Sequence, residues 1–147
     1  MKKLLLILSV LALLIIAGCS TNKITGSIVG KMEDTMVIPI SDLSTTAKFF
    51  TYESASVNVK YFAVLGSDGK PRVAFDACDV CGGFKGYEQV GTDIRCINCG
   101  KVFRIDELGE KNKGSGCWPS HLEHQIQGNN IIIKKSDLDA GVHGFVR

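Results

Sequence analysis

The sequence predicts a mostly β protein, a small β domain that follows an N-terminal signal helix and a flexible tether. Three observations predict it. The chain opens with a basic and then apolar stretch ending in a cysteine. Its middle alternates apolar and polar residues at period two, and no segment of twelve or more residues carries an amphipathic helical stripe. Two C-x-x-C-G pairs then punctuate the second half.

Met1-Lys2-Lys3 is a short basic start, and Leu4 to Ala17 is an almost unbroken apolar run. A run of that length matches the apolar region of a signal peptide and is short for a membrane span. It ends in Ile16-Ala17-Gly18-Cys19, which resembles a lipoprotein signal. The resemblance implies cleavage before Cys19, acylation of that cysteine, and a home on the extracytoplasmic face of the cell membrane. Two or three acyl chains hold firmly because each buried methylene contributes about 0.8 kcal/mol. An uncleaved helix with an incidental cysteine is the competing reading. Loss of the first 18 of 147 residues leaves 129, one domain with one modest core. Lys2 and Lys3 leave with the signal, so the 17 basic residues fall to 15 and balance the 15 acidic ones. A neutral chain gives no charge-based reason to expect nucleic acid as a partner.

Residues 19–35 are polar, contain Gly26 and Gly30, and lack sustained periodicity, which suits a tether. The metal-binding β domain is expected over 36–147. Met36 to Ile40 reads as a strand whose Pro39 suits an edge. Ser41 to Ser44 reads as a turn and Lys48 to Tyr52 as the next strand. Val57, Val59, Tyr61, Ala63 and Leu65 alternate cleanly, Ser67 to Pro71 turns the chain, and Arg72 to Phe75 runs back, giving a hairpin. Further strands are expected at Val102 to Ile105 and Ile131 to Ile133, the latter entered through the turn Gly128-Asn129-Asn130.

Cys78-Asp79-Val80-Cys81-Gly82 and Cys96-Ile97-Asn98-Cys99-Gly100 are two knuckles. Two intervening residues let both sulfurs of a pair face one pocket, and the following glycine permits a tight turn that brings backbone N–H groups toward them. Facing each other, the knuckles form a thiolate cage suited to zinc, to one iron or to an iron–sulfur cluster. Disulfides are the alternative, but a C-x-x-C bridge closes too short a loop to stabilise much. A thioredoxin-like pair would need a βαβ context that is not evident. Removal of the anchor leaves five cysteines, an odd number that does not pair off.

The fifth, Cys117, lies in the shaped loop Gly114 to Leu122. It reads either as an additional metal or redox thiol or as a buried thiol packing as a small hydrophobe. With the first four cysteines as the ligand set, Cys78→Ser should lose the metal and Cys117→Ser should keep most of it. His121 and His124 are ligands only in a different metal scheme, and His143 reads as surface. Asp76 and Asp79 read as shapers of the first knuckle, since thiolate-rich cages seldom recruit carboxylates.

Arg72 to Cys81, Lys85-Gly86-Tyr87, Cys96 to Gly100, Phe103 and Gly116-Cys117-Trp118-Pro119 together resemble the membrane iron–sulfur-containing FtrD-like family, over roughly Val57 to Leu138. The five cysteines fall on the family's pattern, while Trp118 stands where that pattern has a polar residue. The resemblance implies an iron–sulfur centre and a link to membrane iron transport. The order of elements is also distantly similar to a Rieske domain, with Gly116 to Pro119 at the place of the covering loop. Rieske loops carry one cysteine and one histidine each, whereas both loops here carry two cysteines.

No serine–histidine–acid arrangement, phosphate-binding glycine loop or paired-carboxylate signature is evident, so the chain is expected not to be an enzyme and to take no small-molecule substrate. The expected function is electron transfer or iron handling beside a membrane redox or iron-transport partner. The alternative is a structural zinc ribbon in a binding or assembly module.

Overall fold

Tyr61 to Val64 and Val73 to Cys78 are the two stretches that organise the chain, and both are buried on two faces. The computed structural model describes residues 34–81, 85–114 and 116–146, all within one compact unit, Lys31–Arg147. The signal segment 1–18, Cys19 and the tether up to residue 33 lie outside the described residues.

Among the described residues ten strands form three antiparallel sheets. The central sheet has the order β2 (Lys48–Ser54), β3 (Val57–Leu65), β4 (Pro71–Cys78) and β8 (Pro119–His121). A second sheet has the order β1 (Thr35–Pro39), β10 (Asn130–Lys134) and β9 (Gln125–Gln127). The third is a meander of β5 (Tyr87–Val90), β6 (Asp93–Cys96) and β7 (Val102–Arg104). Among the described residues helix is confined to three-residue and four-residue 3-10 turns and to α1 (Lys135–Ala140). Among the described residues no helix is long and apolar enough to cross a membrane.

The strands predicted at 36–40, 48–52, 57–65, 72–75, 102–105 and 131–133 all form, with shifts at their ends. Pro39 sits at the end of an edge strand, opposite Asn130, where its missing N–H costs no ladder bond. Val59, Tyr61 and Ala63 face one core with Val73, Phe75 and Ala77, closed by Leu122, Ile131, Ile133 and Leu138. Phe62, Val64, Ala74 and Cys78 face a second core with Tyr87, Ile94, Cys96, Phe103 and Ile105. The clean alternation of β3 thus holds only where Asn58 and Lys60 face solvent; beyond Tyr61 the meander covers the other face.

The first core is tight where α1 ends. A β-carbon built on Gly141 would stand 2.3 Å from the ring of Phe75. Gly141→Ala is therefore expected to lower stability by about 1–3 kcal/mol, the usual cost of overpacking, read as a shift in the denaturant midpoint. An unchanged midpoint would mean that the Phe75 ring yields freely.

Candidate metal centre

Three chain segments meet at one end of the second core. Cys78 closes β4, Cys96 closes β6, and Cys117 precedes β8, which pairs with β4 through Cys78↔Pro119. That pairing shifts register between Ala74 and Cys78, an irregularity that re-aims the strand end as bulges do. The sulfurs of Cys78, Cys81, Cys96 and Cys117 all lie within 4.8 Å of one another. Cys117 Sγ is 2.8 Å from Cys78 Sγ and 3.3 Å from Cys99 Sγ. Both knuckles therefore converge, and the fifth thiol joins them. Cys78 and Cys96 are buried, Cys81 and Cys117 half-buried, and Cys99 exposed.

Local backbone chemistry shapes each knuckle. Val80 N–H donates to Cys78 Sγ at 3.4 Å, and Asp79 N–H donates to the Trp118 carbonyl at 3.1 Å. In the second knuckle Gly100 N–H donates to the Cys96 carbonyl at 2.8 Å with Gly100 at φ +75°, the left-handed turn for which the sequence supplies glycine. Ile97 N–H donates to the Gly86 carbonyl at 3.0 Å, and so fixes this knuckle beside the segment that enters β5.

The thiols differ in how readily they ionise. Burial pushes Cys78 up, but hydrogen bonds involving Cys117 and the backbone N–H groups of Cys81 and Val80 outweigh it and bring the thiol down to about 7. The backbone N–H of Lys101, then Cys117, hold Cys99 below its ordinary value. Burial, followed by the neighbouring Cys78 and Cys99, pushes Cys117 up. A proton on Cys117 thus lies between two readily ionised sulfurs, where a cation is the natural substitute, and metal binding to such a set releases protons.

The surroundings fit a thiolate-bound metal. The Tyr87 hydroxyl is buried in the same core and makes no hydrogen bond among the described residues. Burial and the charges of Cys78, Cys117 and Cys96 push its ionisation far up, which keeps it a neutral O–H. An orphaned donor beside electron-rich sulfurs is the arrangement that outer-shell hydrogen bonding to a metal thiolate uses. Four sulfurs around one zinc or iron ion at about 2.3 Å have edges near 3.8 Å, and the observed spread admits that cage.

Asp76 and Asp79, expected to shape the first knuckle, instead hold neighbouring segments to it. Asp79 accepts from Ser120 Oγ at 2.6 Å and from Asn112 Nδ2 at 3.1 Å, bracing the loop that delivers Cys117. Asp76 is buried and accepts from Tyr87 N–H at 2.5 Å, and burial raises its carboxyl to about 6. At neutral pH it therefore stays largely charged at a desolvation cost. Asp76→Asn, which keeps an acceptor and sheds the charge, should melt at or above the parent temperature at pH 7.5. Asp76→Ala, which orphans the Tyr87 N–H, should melt several degrees lower. Equal melting of the two variants would show that this hydrogen bond contributes nothing.

The histidines are engaged elsewhere. His121 Nε2 lies 3.2 Å from Glu123, while His124 Nδ1 and His143 Nδ1 meet the carbonyls of Leu122 and Ala140 at 2.8 and 2.7 Å. None joins the sulfur group. Trp118 packs edge-on against Phe103 with centroids 5.3 Å apart, and its Nε1 donates to the Glu110 carbonyl at 3.1 Å. Trp118 thus gives the Cys117 loop an apolar anchor. Sequence reasoning missed the part played by Tyr87, whose signal there is to be one of two aromatics, with Phe84, between the knuckles.

No curated protein matches the chain. The model of one family, described as membrane iron-sulfur containing protein FtrD-like, matches residues 42–145, a span that includes all five cysteines of the centre. With most of its length matched in this way, the chain belongs to the FtrD-like family of membrane iron–sulfur containing proteins.

Proposed function

We propose that the five-cysteine centre holds an iron–sulfur cluster and that the protein is a membrane-tethered one-electron carrier serving a membrane redox or iron-transport partner. The observation that carries this reading is the convergence of Cys78, Cys81, Cys96 and Cys117 within 4.8 Å, with exposed Cys99 at 3.3 Å from Cys117, in a member of an iron–sulfur family. Bound there, a cluster would supply reversible one-electron chemistry at a low potential. The chain's own groups do the rest. Cysteine sulfurs bind, the knuckle N–H groups and Lys101 offset negative charge, and the Phe103–Trp118 pair shields one side from water.

The carrier reading gives the protein no catalytic residues and no small-molecule substrate. It places the protein on the extracytoplasmic face through a lipid on Cys19, the reading of the signal-like N-terminus. Iron handling, in which the metal is cargo, belongs to the same site; exposed Cys99 is the thiol from which such transfer would start.

A single bound ion is the second reading, favoured by the tightness of the sulfur group, since bridging sulfides hold a cluster's ligands farther apart than one ion does. A structural zinc ribbon belongs to this reading. Metal and acid-labile sulfide analysis of protein prepared without oxygen decides between them. The cluster reading expects iron with stoichiometric sulfide, visible charge-transfer absorption, an electron-spin signal after reduction, and a midpoint near the all-cysteine value of about −400 mV. Colourless protein with one zinc and no sulfide overturns it.

A further inference from the structure

Both knuckle tips carry aliphatic side chains that the fold leaves in water. Val80, between Cys78 and Cys81, is 67 % exposed, and Ile97, between Cys96 and Cys99, is 43 % exposed. One exposed valine is ordinary. These two β-branched side chains, one on each knuckle, flank the converging sulfurs, with exposed Cys99 on the second knuckle.

Charge surrounds that pair unevenly. Lys85 precedes Gly86, whose carbonyl receives the Ile97 N–H, and it is exposed. Lys101 is exposed, with Nζ 3.3 Å from the Cys117 carbonyl. Lys111 is exposed beside Asn112, the residue that holds Asp79. Among the described residues no ion pair engages these three lysines. The nearby acids are occupied. Ser120 and Asn112 bond Asp79, Lys113 pairs with Glu110, and Arg95 pairs with Glu88.

We infer that this face docks a second protein, a one-electron carrier that presents an apolar centre rimmed by carboxylates. The inference rests on the electron-carrier reading of the cysteine centre and names the chemistry of its partner. An apolar contact beside the sulfurs brings the two redox groups close, while lysines on the rim act mainly on encounter rate and salt dependence. A small, brief interface of this kind is typical of redox pairs. Anionic lipid would also meet the lysines, but membrane-interface contacts favour tryptophan and tyrosine. Here Trp118 is turned inward on Phe103.

The test uses the whole protein, metal-loaded without oxygen, with an acidic flavodoxin as probe and a basic cytochrome c as the opposite-charge control. Calorimetry reads docking without electron flow, and stopped-flow absorbance reads the rate of flavin reduction. Between about 20 and about 500 mM salt the Debye length falls from roughly 20 Å to roughly 4 Å. The flavodoxin rate should fall about tenfold or more over that range. Lys85→Glu/Lys111→Glu, with unchanged iron and sulfide, should lower the low-salt rate and affinity about tenfold and shift preference toward cytochrome c. Val80→Ser/Ile97→Ser should weaken binding several-fold at every salt concentration.

Equal flavodoxin binding by the parent and the lysine variant, with metal intact, overturns the inference. So does a lysine variant whose effect appears only on phosphatidylglycerol vesicles, an outcome that assigns the face to lipid headgroups. Protein that holds zinc and no sulfide still reports docking by calorimetry, so failure of the centre and failure of the face are read separately.

Discussion

Cys78→Ser empties the centre. Cys78 is 4 % exposed, ends β4, and contacts Cys117 across the β4–β8 pairing, a buried anchorage that the spare thiol, exposed Cys99, does not share. A serine hydroxyl is a hard, protonated ligand where a soft thiolate is required. Loss of an outer-shell partner alone costs about 10–100-fold in metal affinity, and loss of a direct ligand should exceed the upper figure. The fold suffers with it, because for small metal domains binding free energy of about 10–16 kcal/mol is folding free energy. Metal analysis should find less than about a tenth of the parent content, consistent with that affinity loss, and the thermal midpoint should drop with it. A variant that keeps its metal and its colour would remove Cys78 from the ligand set.

Cys117→Ser and Cys99→Ser separate the two four-sulfur sets that share Cys78, Cys81 and Cys96. Spacing alone favours Cys99 as the fourth ligand, and on that basis Cys117→Ser keeps most of its metal. The geometry ranks them the other way. Cys117 lies inside the group held within 4.8 Å, while exposed Cys99 sits at its margin, 3.3 Å from Cys117 and within hydrogen-bonding reach of Cys96 and Cys81. Cys117→Ser should therefore lower metal retention by at least about tenfold against a chelator, in the range of ligand-shell losses, and Cys99→Ser should retain more. Full retention in Cys117→Ser, with loss in Cys99→Ser, would return the fourth position to the second knuckle.

Most of the architecture was legible because long strands advertise themselves. Nine residues of alternation in β3 and the apolar triplet Ile131 to Ile133 in β10 leave little choice. The elements that escaped are short and polar. β5 and β6 have four residues each and include Glu88, Gln89, Asp93 and Arg95; β8 and β9 have three each. β5 with β6 and β9 with β10 pair across short turns, with few apolar residues to mark them, while β8 pairs with distant β4. α1 has six residues with Leu138 as its buried contact, too few to show a stripe. At the site, the knuckles were readable because their spacing is local. The central position of Cys117 depends on β8 pairing with β4, which brings it to Cys78 across 39 residues of chain, and no local pattern encodes it.

The burial of β4 bears on speed. All six residues from Val73 to Cys78 are buried, with sheet neighbours on both sides and packed cores on both faces. On the electron-carrier reading proposed above, a redox group fastened at the end of such a strand can change its charge with little movement of nearby nuclei on that side. What rearrangement occurs is left to the exposed Cys99 side and to water. Low reorganisation energy of that kind lets electrons cross at small driving force, in either direction.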